Sequence, residues 1–249
     1  MKNILKEKLK QGQPVIGTFV GLGHPDVTEV LSRLGFDWLV IDGEHSPMSF
    51  ETMQLLLQSM NGSNCVPIIR PQWNDMVIIK RALDIGAYGL LIPWVNTKEE
   101  AEYAVRACKY PPEGLRGFGP RRAALFDPDY SQTANDEILI IAQIETRKAL
   151  SNLDDILSVK GIDACYIGPV DLSFSFGLGS PKWENPEYLE AFDNVLAAAK
   201  KWGKPAGMFT FIENIEWAIK KGFILNTVDS ADRFLLQGAK MALEKARHA

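Results

Sequence analysis

Along the chain, apolar runs of four to six residues alternate with longer stretches in which apolar positions recur at helical spacing. Short, almost continuously apolar runs are the signature of strands buried on both faces, and their alternation with amphipathic helices is the pattern of a parallel sheet covered by helices. Eight runs read as strands: residues 15–19, 38–41, 67–70, 89–92, 139–144, 164–167, 205–208 and 224–228. Helical spacing fills residues 27–34, 50–60, 76–85, 98–108, 149–157, 186–202 and 212–220, and a last amphipathic helix spans 232–246. Eight such units predict an α/β fold, a closed (β/α)8 TIM barrel. No Pro/Ser/Gly-rich linker interrupts them, which predicts a single domain over residues 1–249. One interval departs from the rhythm. Residues 110–136 carry prolines and glycines that forbid a long helix, together with aromatics that need burial. A connection of this length is expected to be functional, as an active-site wall or a subunit contact.

Charge and cysteine usage narrow the partners. The 27 basic and 31 acidic side chains are mixed along the chain and sum to −4, so there is no basic field for nucleic acid or an anionic membrane. Cys65, Cys108 and Cys165 are isolated, with no C-x-x-C spacing, as expected of reduced thiols that only pack. Residues 1–13 read as a short amphipathic helix whose lysines interrupt any apolar run, so neither a signal peptide nor a membrane span is expected there. A cytoplasmic protein is the expectation.

In a barrel of this kind chemistry gathers where strands end and the following loops begin, so a polar residue at a strand end is a candidate. The second strand runs into Asp42-Gly43-Glu44-His45, where Gly43 permits a turn that folds the imidazole back on Asp42 as an acid/base dyad. The alternative is that Asp42 and Glu44 cap the next helix and His45 is a polar loop residue. His24, after the first strand, is a weaker candidate; His248 lies in the tail. The third strand ends in Arg70, whose planar fork suits a carboxylate substrate, or else a structural ion pair. The fifth strand ends Gln143-Ile144-Glu145 and the sixth runs into Gly168-Pro169-Val170-Asp171. Glu145 and Asp171 would repel one another at neighbouring strand ends unless a cation lay between them, and all-oxygen ligation points to Mg²⁺ or Mn²⁺. Helix capping is the competing reading for both. Trp94, Phe118, Phe174 and Phe209 suggest an apolar pocket wall. Arg116, Arg121 and Arg122 suggest contacts with an anionic substrate tail or a second subunit. The glycines of residues 114–119 follow no strand and open no helix, which argues against a nucleotide loop.

Over nearly its whole length the sequence resembles the class II pyruvate aldolase (HpcH/HpaI) family. The resemblance is carried by GFDWLVIDGEHSP at 35–47, VPIIRP at 66–71, DIGAYGLLIPWV at 84–95, YPPEGLRGFG at 110–119, ANDEILIIAQIETRKALSNLDDIL at 134–157 and IGPVDLSFSFG at 167–177. It implies a metal-dependent retro-aldol cleavage of a 4-hydroxy-2-oxo acid to pyruvate and an aldehyde. Its implied roles are an acid/base pair in His45 and Asp42, substrate and enolate binding by Arg70, metal ligation by Glu145 and Asp171, and substrate contacts from Gln143 and the backbone N–H groups near Val170 and Asp171. The metal would be Mg²⁺ or Mn²⁺, with Co²⁺ or Zn²⁺ as further options. The resemblance also implies a homo-oligomer, a hexamer whose C-terminal helices exchange between subunits. Leu115, Trp94 and residues 119–126 depart from the family's usual pattern, which bears on the aldehyde rather than on the chemistry. An acyl-CoA lyase of the citrate lyase type and a catalytically silent ligand-binding barrel remain the alternatives.

Overall fold

The computed structural model describes residues 2–248. Eight strands, β1 (Val15–Val20), β2 (Trp38–Asp42), β3 (Val66–Arg70), β4 (Gly89–Ile92), β5 (Leu139–Ile144), β6 (Ala164–Ile167), β7 (Ala206–Thr210) and β8 (Leu225–Ser230), pair in parallel in chain order. β8 pairs with β1 and closes the barrel, as the alternating pattern predicts.

Side chains alternate along each strand between the barrel interior and the helical layer. The interior cluster includes Val15, Phe19, Trp38, Val40, Val66, Ile68, Leu139, Ile141, Ala164 and Tyr166. Their neighbours Leu39, Ile41, Ile69, Ile140 and Ile144 belong instead to the larger cluster under the helices. This parity fixes the mouth. Counting in twos from Trp38 and Val40 brings Asp42 inward, from Val66 and Ile68 brings Arg70, and from Leu139 and Ile141 brings Gln143 and Glu145. The register β2 to β3 sets Asp42 directly beside Arg70. Close packing inside the barrel depends on missing side chains: a Cβ on Gly17 would stand 2.5 Å from the Trp38 carbonyl oxygen, and one on Gly207 only 1.8 Å from that of Leu225.

The helix Ile4–Lys10 closes the lower end, burying Leu5 and Leu9 against the interior cluster while Lys6 donates to the Ile138 carbonyl (2.9 Å) and pairs with Asp163 (3.0 Å). Several other helices start on a side-chain cap: Ser49 accepts from Thr52 N–H, Asp75 from Val77 and Ile78, and Thr97 from Glu100.

Several elements depart from the sequence pattern. The stretch 149–157 is two short helices, Arg147–Ser151 and Leu153–Ser158. The helix Pro169–Ser175 is not among the periodic stretches, because seven residues opened by proline are too few to establish a period. Residues 110–136 contain the helices Ala123–Phe126 and Tyr130–Glu137 and do not wall the mouth of their own barrel. They lie at the lower end, where Arg116 pairs with Asp84 (2.7 Å) and Arg122 donates to the Ile85 carbonyl (2.8 Å) and to Asn61 (3.2 Å). Their place follows from topology, since a connection leading from a helix back to a strand must return to the end where strands begin. Arg116, expected to reach outward for an anion, is instead buried against Tyr110 and Tyr130, its guanidinium 4.5 and 5.5 Å from their ring centroids. Phe118, expected in the pocket wall, packs on Tyr110 at the same end. The last helix, Ala231–Arg247, buries only Ala231 and exposes Leu235, Leu236, Met241 and Leu243. Among the described residues no helix is long and apolar enough to cross a membrane.

Candidate active site

The strand ends of β2, β3, β5 and β6 surround a cleft of about 660 Å³ lined by, among others, Asp42, His45, Arg70, Gln143, Val170 and Asp171. A second cavity of about 410 Å³ adjoins it, sharing Asp171 and adding Glu145, Trp94 and Phe174.

Arg70 is the fixed point. Its Nε and Nη2 each donate to an Asp42 carboxylate oxygen at 2.9 Å, its Nη1 lies 3.2 Å from Glu44 Oε2, and its guanidinium covers the Phe19 ring at 4.8 Å. Asp42 also accepts the backbone N–H groups of Glu44 (3.0 Å) and His45 (3.3 Å). Burial works to raise the Asp42 pKa, but the Arg70 fork and these N–H groups prevail and hold it below the usual carboxylate value. The turn through Gly43 is enforced by crowding, since a Cβ there would meet the Arg70 carbonyl oxygen at 2.8 Å.

The expected hydrogen bond from the His45 ring to Asp42 is not formed. Arg70 occupies both oxygens of that carboxylate, and the imidazole is turned to the cleft, 60% exposed, with Nε2 3.7 Å from Glu44 Oε2. Glu44, for which the sequence offered only the alternative of a helix cap, is thus drawn into the site. Its pKa is raised to about 7, first by burial and then by Asp42 and Asp171, against the pull of Arg70. A Glu at the second position after a strand resembles any turn residue, so only its burial exposes it. His24 is the N-cap residue of the helix Pro25–Ser32, faces Asp26 at 3.6 Å and does not line the cleft.

Glu145 is almost fully buried, and it caps no helix: Thr146 does that, accepting from Ala149 N–H at 3.0 Å. One Glu145 oxygen accepts the Trp94 N–H at 2.8 Å and the other the Gln143 side-chain amide. Burial raises its pKa to about 7 and Glu44 and Asp171 add to the rise, outweighing these two donors. A Cβ on Gly168 would reach Glu145 Oε2 at 2.8 Å, so the Gly168 position makes room for the carboxylate. Asp171 sits in the first turn of the helix Pro169–Ser175, whose N-cap residue Gly168 offers no side chain, and the N–H groups of Val170 and Asp171 lie in that same turn.

This mouth fits a cation. It carries the carboxylates of Asp42, Glu44, Glu145 and Asp171 against the guanidinium of Arg70, and the buried Gln143 Oε1 has no hydrogen-bond partner. Among the described residues no three His, Cys, Asp or Glu side chains converge as a complete metal cage. Glu145 and Asp171 would therefore supply two oxygens, with water and substrate completing the shell. No lysine lines the larger cleft among the described residues, so an imine-forming amine is not at hand there.

Known proteins share this sequence and this fold. The chain is 46% identical over 213 residues to the 4-hydroxy-2-oxo-heptane-1,7-dioate aldolase of Salmonella newport strain SL254, covering 84% of this chain and 80% of that protein. It superposes with a TM-score of 0.94 on a HpcH/HpaI aldolase/citrate lyase family protein from Burkholderia cenocepacia J2315, at 32% identity over 99% of this chain and 100% of the other. A macrophomate synthase matches with a TM-score of 0.89 at 27% identity, over 98% of this chain and 89% of its own. The family profile matches residues 15–225, and the chain belongs to the HpcH/HpaI aldolase/citrate lyase family.

Proposed function

We propose that the protein is a divalent-metal-dependent class II aldolase that cleaves a 4-hydroxy-2-oxo acid reversibly to pyruvate and an aldehyde. One observation carries the reading: a guanidinium anchored by an aspartate faces the same mouth as a carboxylate pair suited to a cation, and among the described residues no lysine lines the cleft that the guanidinium faces.

Glu145 and Asp171 hold the cation, Mg²⁺ or Mn²⁺ by the hardness of their oxygens, with Co²⁺ or Zn²⁺ as substitutes. When bound, it supplies Lewis-acid stabilisation of negative charge on the 2-oxo oxygen. Arg70 holds the keto acid and stabilises the enolate with N–H donors not taken by Asp42, whose role is to keep the guanidinium in place. Gln143 positions Glu145 and presents its free amide oxygen to the substrate or its water, and the N–H groups of Val170 and Asp171 bind the substrate carboxylate. His45 takes the proton of the 4-hydroxyl, with Glu44 rather than Asp42 as the carboxylate beside it. The C3–C4 bond then breaks, its electron pair passes into the pyruvate enolate, and the aldehyde leaves. A proton returned to C3 completes pyruvate, so no redox partner is needed. The exposed leucines of Ala231–Arg247 suit helix exchange within a hexamer, checked by light scattering on the eluting protein.

A CoA thioester is the less favoured substrate, because the two cavities at the mouth offer only Arg70 and Lys148 as cations, too few for its phosphates. The test is exchange of the pyruvate methyl protons in D₂O together with pyruvate release from 4-hydroxy-2-oxo acids. Both are expected to vanish with EDTA and return with Mn²⁺. Turnover that survives complete chelation refutes the metal assignment, and the absence of both reactions under any metal favours a silent barrel.

A further inference from the structure

Glu145 stands beyond the reach of the sheet. The β4–β5 ladder ends with Ile92 beside Ala142, three residues short of it, and the β5–β6 ladder ends with Ile144 beside Ile167. Past the last ladder bond, the backbone must find other partners.

Those partners form a closed circuit. The Trp94 N–H donates to Glu145 Oε1 (2.8 Å), the Trp94 carbonyl accepts from Asn96 Nδ2 (2.9 Å), Asn96 Oδ1 accepts from the Thr146 hydroxyl, and Thr146 follows Glu145 in the chain. The role of each atom is forced. A carbonyl can only accept, so the Asn96 amide nitrogen must face Trp94, and the Thr146 oxygen already accepts the Ala149 N–H (3.0 Å), which leaves its own proton for Asn96. Asn96 is also pinned through its backbone, its N–H donating to Glu100 Oε2 (2.6 Å) and its carbonyl accepting from Asn152 Nδ2 (2.7 Å). Its N–H, carbonyl, amide nitrogen and amide oxygen are thus all engaged.

The circuit holds a conformation that the chain would not adopt alone. Trp94 has a φ of 55°, in the left-handed region, which a bulky residue rarely enters unless its surroundings dictate it. The bonds to Glu145 and from Asn96 grip the two sides of that turn. Burial raises the Glu145 pKa, and of the two donors that oppose it the Trp94 N–H acts more strongly than the Gln143 amide.

Resting on the metal assignment above, we propose that Asn96 is a positioning residue for the metal ligand Glu145: its side-chain amide ties the loop after β4 to the loop after β5 and so fixes the peptide that donates to the Glu145 carboxylate. Asn96 acts through Trp94 and Thr146, not by ligation. Without its amide the Trp94 peptide relaxes out of the left-handed region, Glu145 Oε1 loses its donor, and the carboxylate gains rotamers that do not face the cation.

The test reads Mn²⁺ affinity by calorimetry and the melting temperature of the metal-free protein, neither of which depends on turnover. Asn96→Ala is expected to weaken Mn²⁺ binding by about three- to tenfold, less than the roughly 10–100-fold of losing a group bonded directly to a ligand, while the melting temperature moves by no more than about 2 °C. Thr97→Ala, in the same loop, removes the cap that accepts the Glu100 N–H (3.2 Å) but no bond of the circuit. It should do the reverse, lowering the melting temperature and leaving Mn²⁺ binding unchanged. Thr146→Val opens the circuit at its other joint and should weaken binding by a similar factor, whereas Thr146→Ser keeps the hydroxyl and should restore it. This pair carries the test if Asn96→Ala does not fold. Unchanged Mn²⁺ affinity in Asn96→Ala or in Thr146→Val overturns the proposal. So does a loss in Thr97→Ala as large as in Asn96→Ala, which makes the folding of the loop the cause. Glu145→Gln separates the failures. If it abolishes Mn²⁺ binding while Asn96→Ala leaves binding intact, the positioning role alone falls. If it binds Mn²⁺ as well as the unaltered protein, or if the unaltered protein binds none, the metal assignment falls and this inference with it.

Discussion

Two arginines, each bonded to an aspartate and each nearly buried, sit at opposite ends of this barrel and have opposite surroundings. Arg116, at the lower end, donates to Asp84 and to the Tyr130 hydroxyl and is packed against two tyrosine rings. It lines neither cavity of the catalytic mouth. Arg70 has an equally complete bond to Asp42 but lines an open cleft in which carboxylates outnumber it. The pair alone is therefore no mark of function. An ion pair closed over by aromatics fixes a loop, whereas one left facing a cavity with surplus opposite charge has somewhere to put a ligand.

Replacing each arginine in turn should break the symmetry between the two ends, and this is the largest effect expected. Arg70→Ala should lower kcat by about 10²–10³-fold, the usual cost of removing a donor aimed at developing negative charge. Arg116→Ala should act on stability, because it strands Asp84 among buried tyrosines. Breaking a buried pair costs roughly 3–5 kcal/mol, or about 6–20 °C in melting temperature for a chain of this size. Steady-state assays and thermal denaturation of the two variants, side by side, decide the matter. If Arg116→Ala lost turnover before it lost stability, the lower end would belong to the chemistry too, as it would if it packed on a partner's mouth.

Gly168→Ala sharpens the contrast at the mouth alone. The added methyl would meet Glu145 Oε2 at 2.8 Å and Gln143 Nε2 at 3.2 Å, so the carboxylate must move. Mn²⁺ affinity, read by calorimetry, should fall by about 10–100-fold, as when a ligand's support is removed, while the melting temperature of the metal-free protein changes little. Unaltered Mn²⁺ binding would take Glu145 out of the metal site.

Much of this contrast was readable in the chain because strand parity is a rule of two. Once Trp38, Val40, Val66, Ile68, Leu139 and Ile141 are inward, Asp42, Arg70, Gln143 and Glu145 can face only the mouth. What escaped the sequence were facts of competition and of return paths. Asp42 lies near His45 in the chain, yet Arg70, bound to it across the β2–β3 register, takes its carboxylate first. The loop 110–136 holds arginines and aromatics suited to a substrate wall, but it connects a helix to a strand and so lies at the far end. Glu44 carried no pattern at all and became visible only when its burial did.

A last test probes the closed end through its thiols. Cys65 directly precedes β3 and Cys108 ends the helix Lys98–Cys108, both at the lower end, and Cys165 lies early in β6. Burial raises each thiol pKa from the ordinary 9.0 to about 12. In the folded protein all three keep their protons where the unfolded chain has lost them. Their contribution to stability is thus complete below pH 9 and declines as pH rises through the window from 9 to about 12. Urea midpoints should accordingly fall between pH 8.5 and 10.5, by about 1 kcal/mol or more per fully protected thiol and pH unit at the steepest point. A thiol-reactive disulfide reagent should find no fast-reacting cysteine in the native protein. Arg116→Ala should then speed the modification of Cys108 in particular, since Arg116 packs close enough for its charge to act on that thiol. Arg70→Ala should leave Cys108 as slow as before. Equal rates in the two variants would mean that the Arg116 pair does not hold the lower end shut.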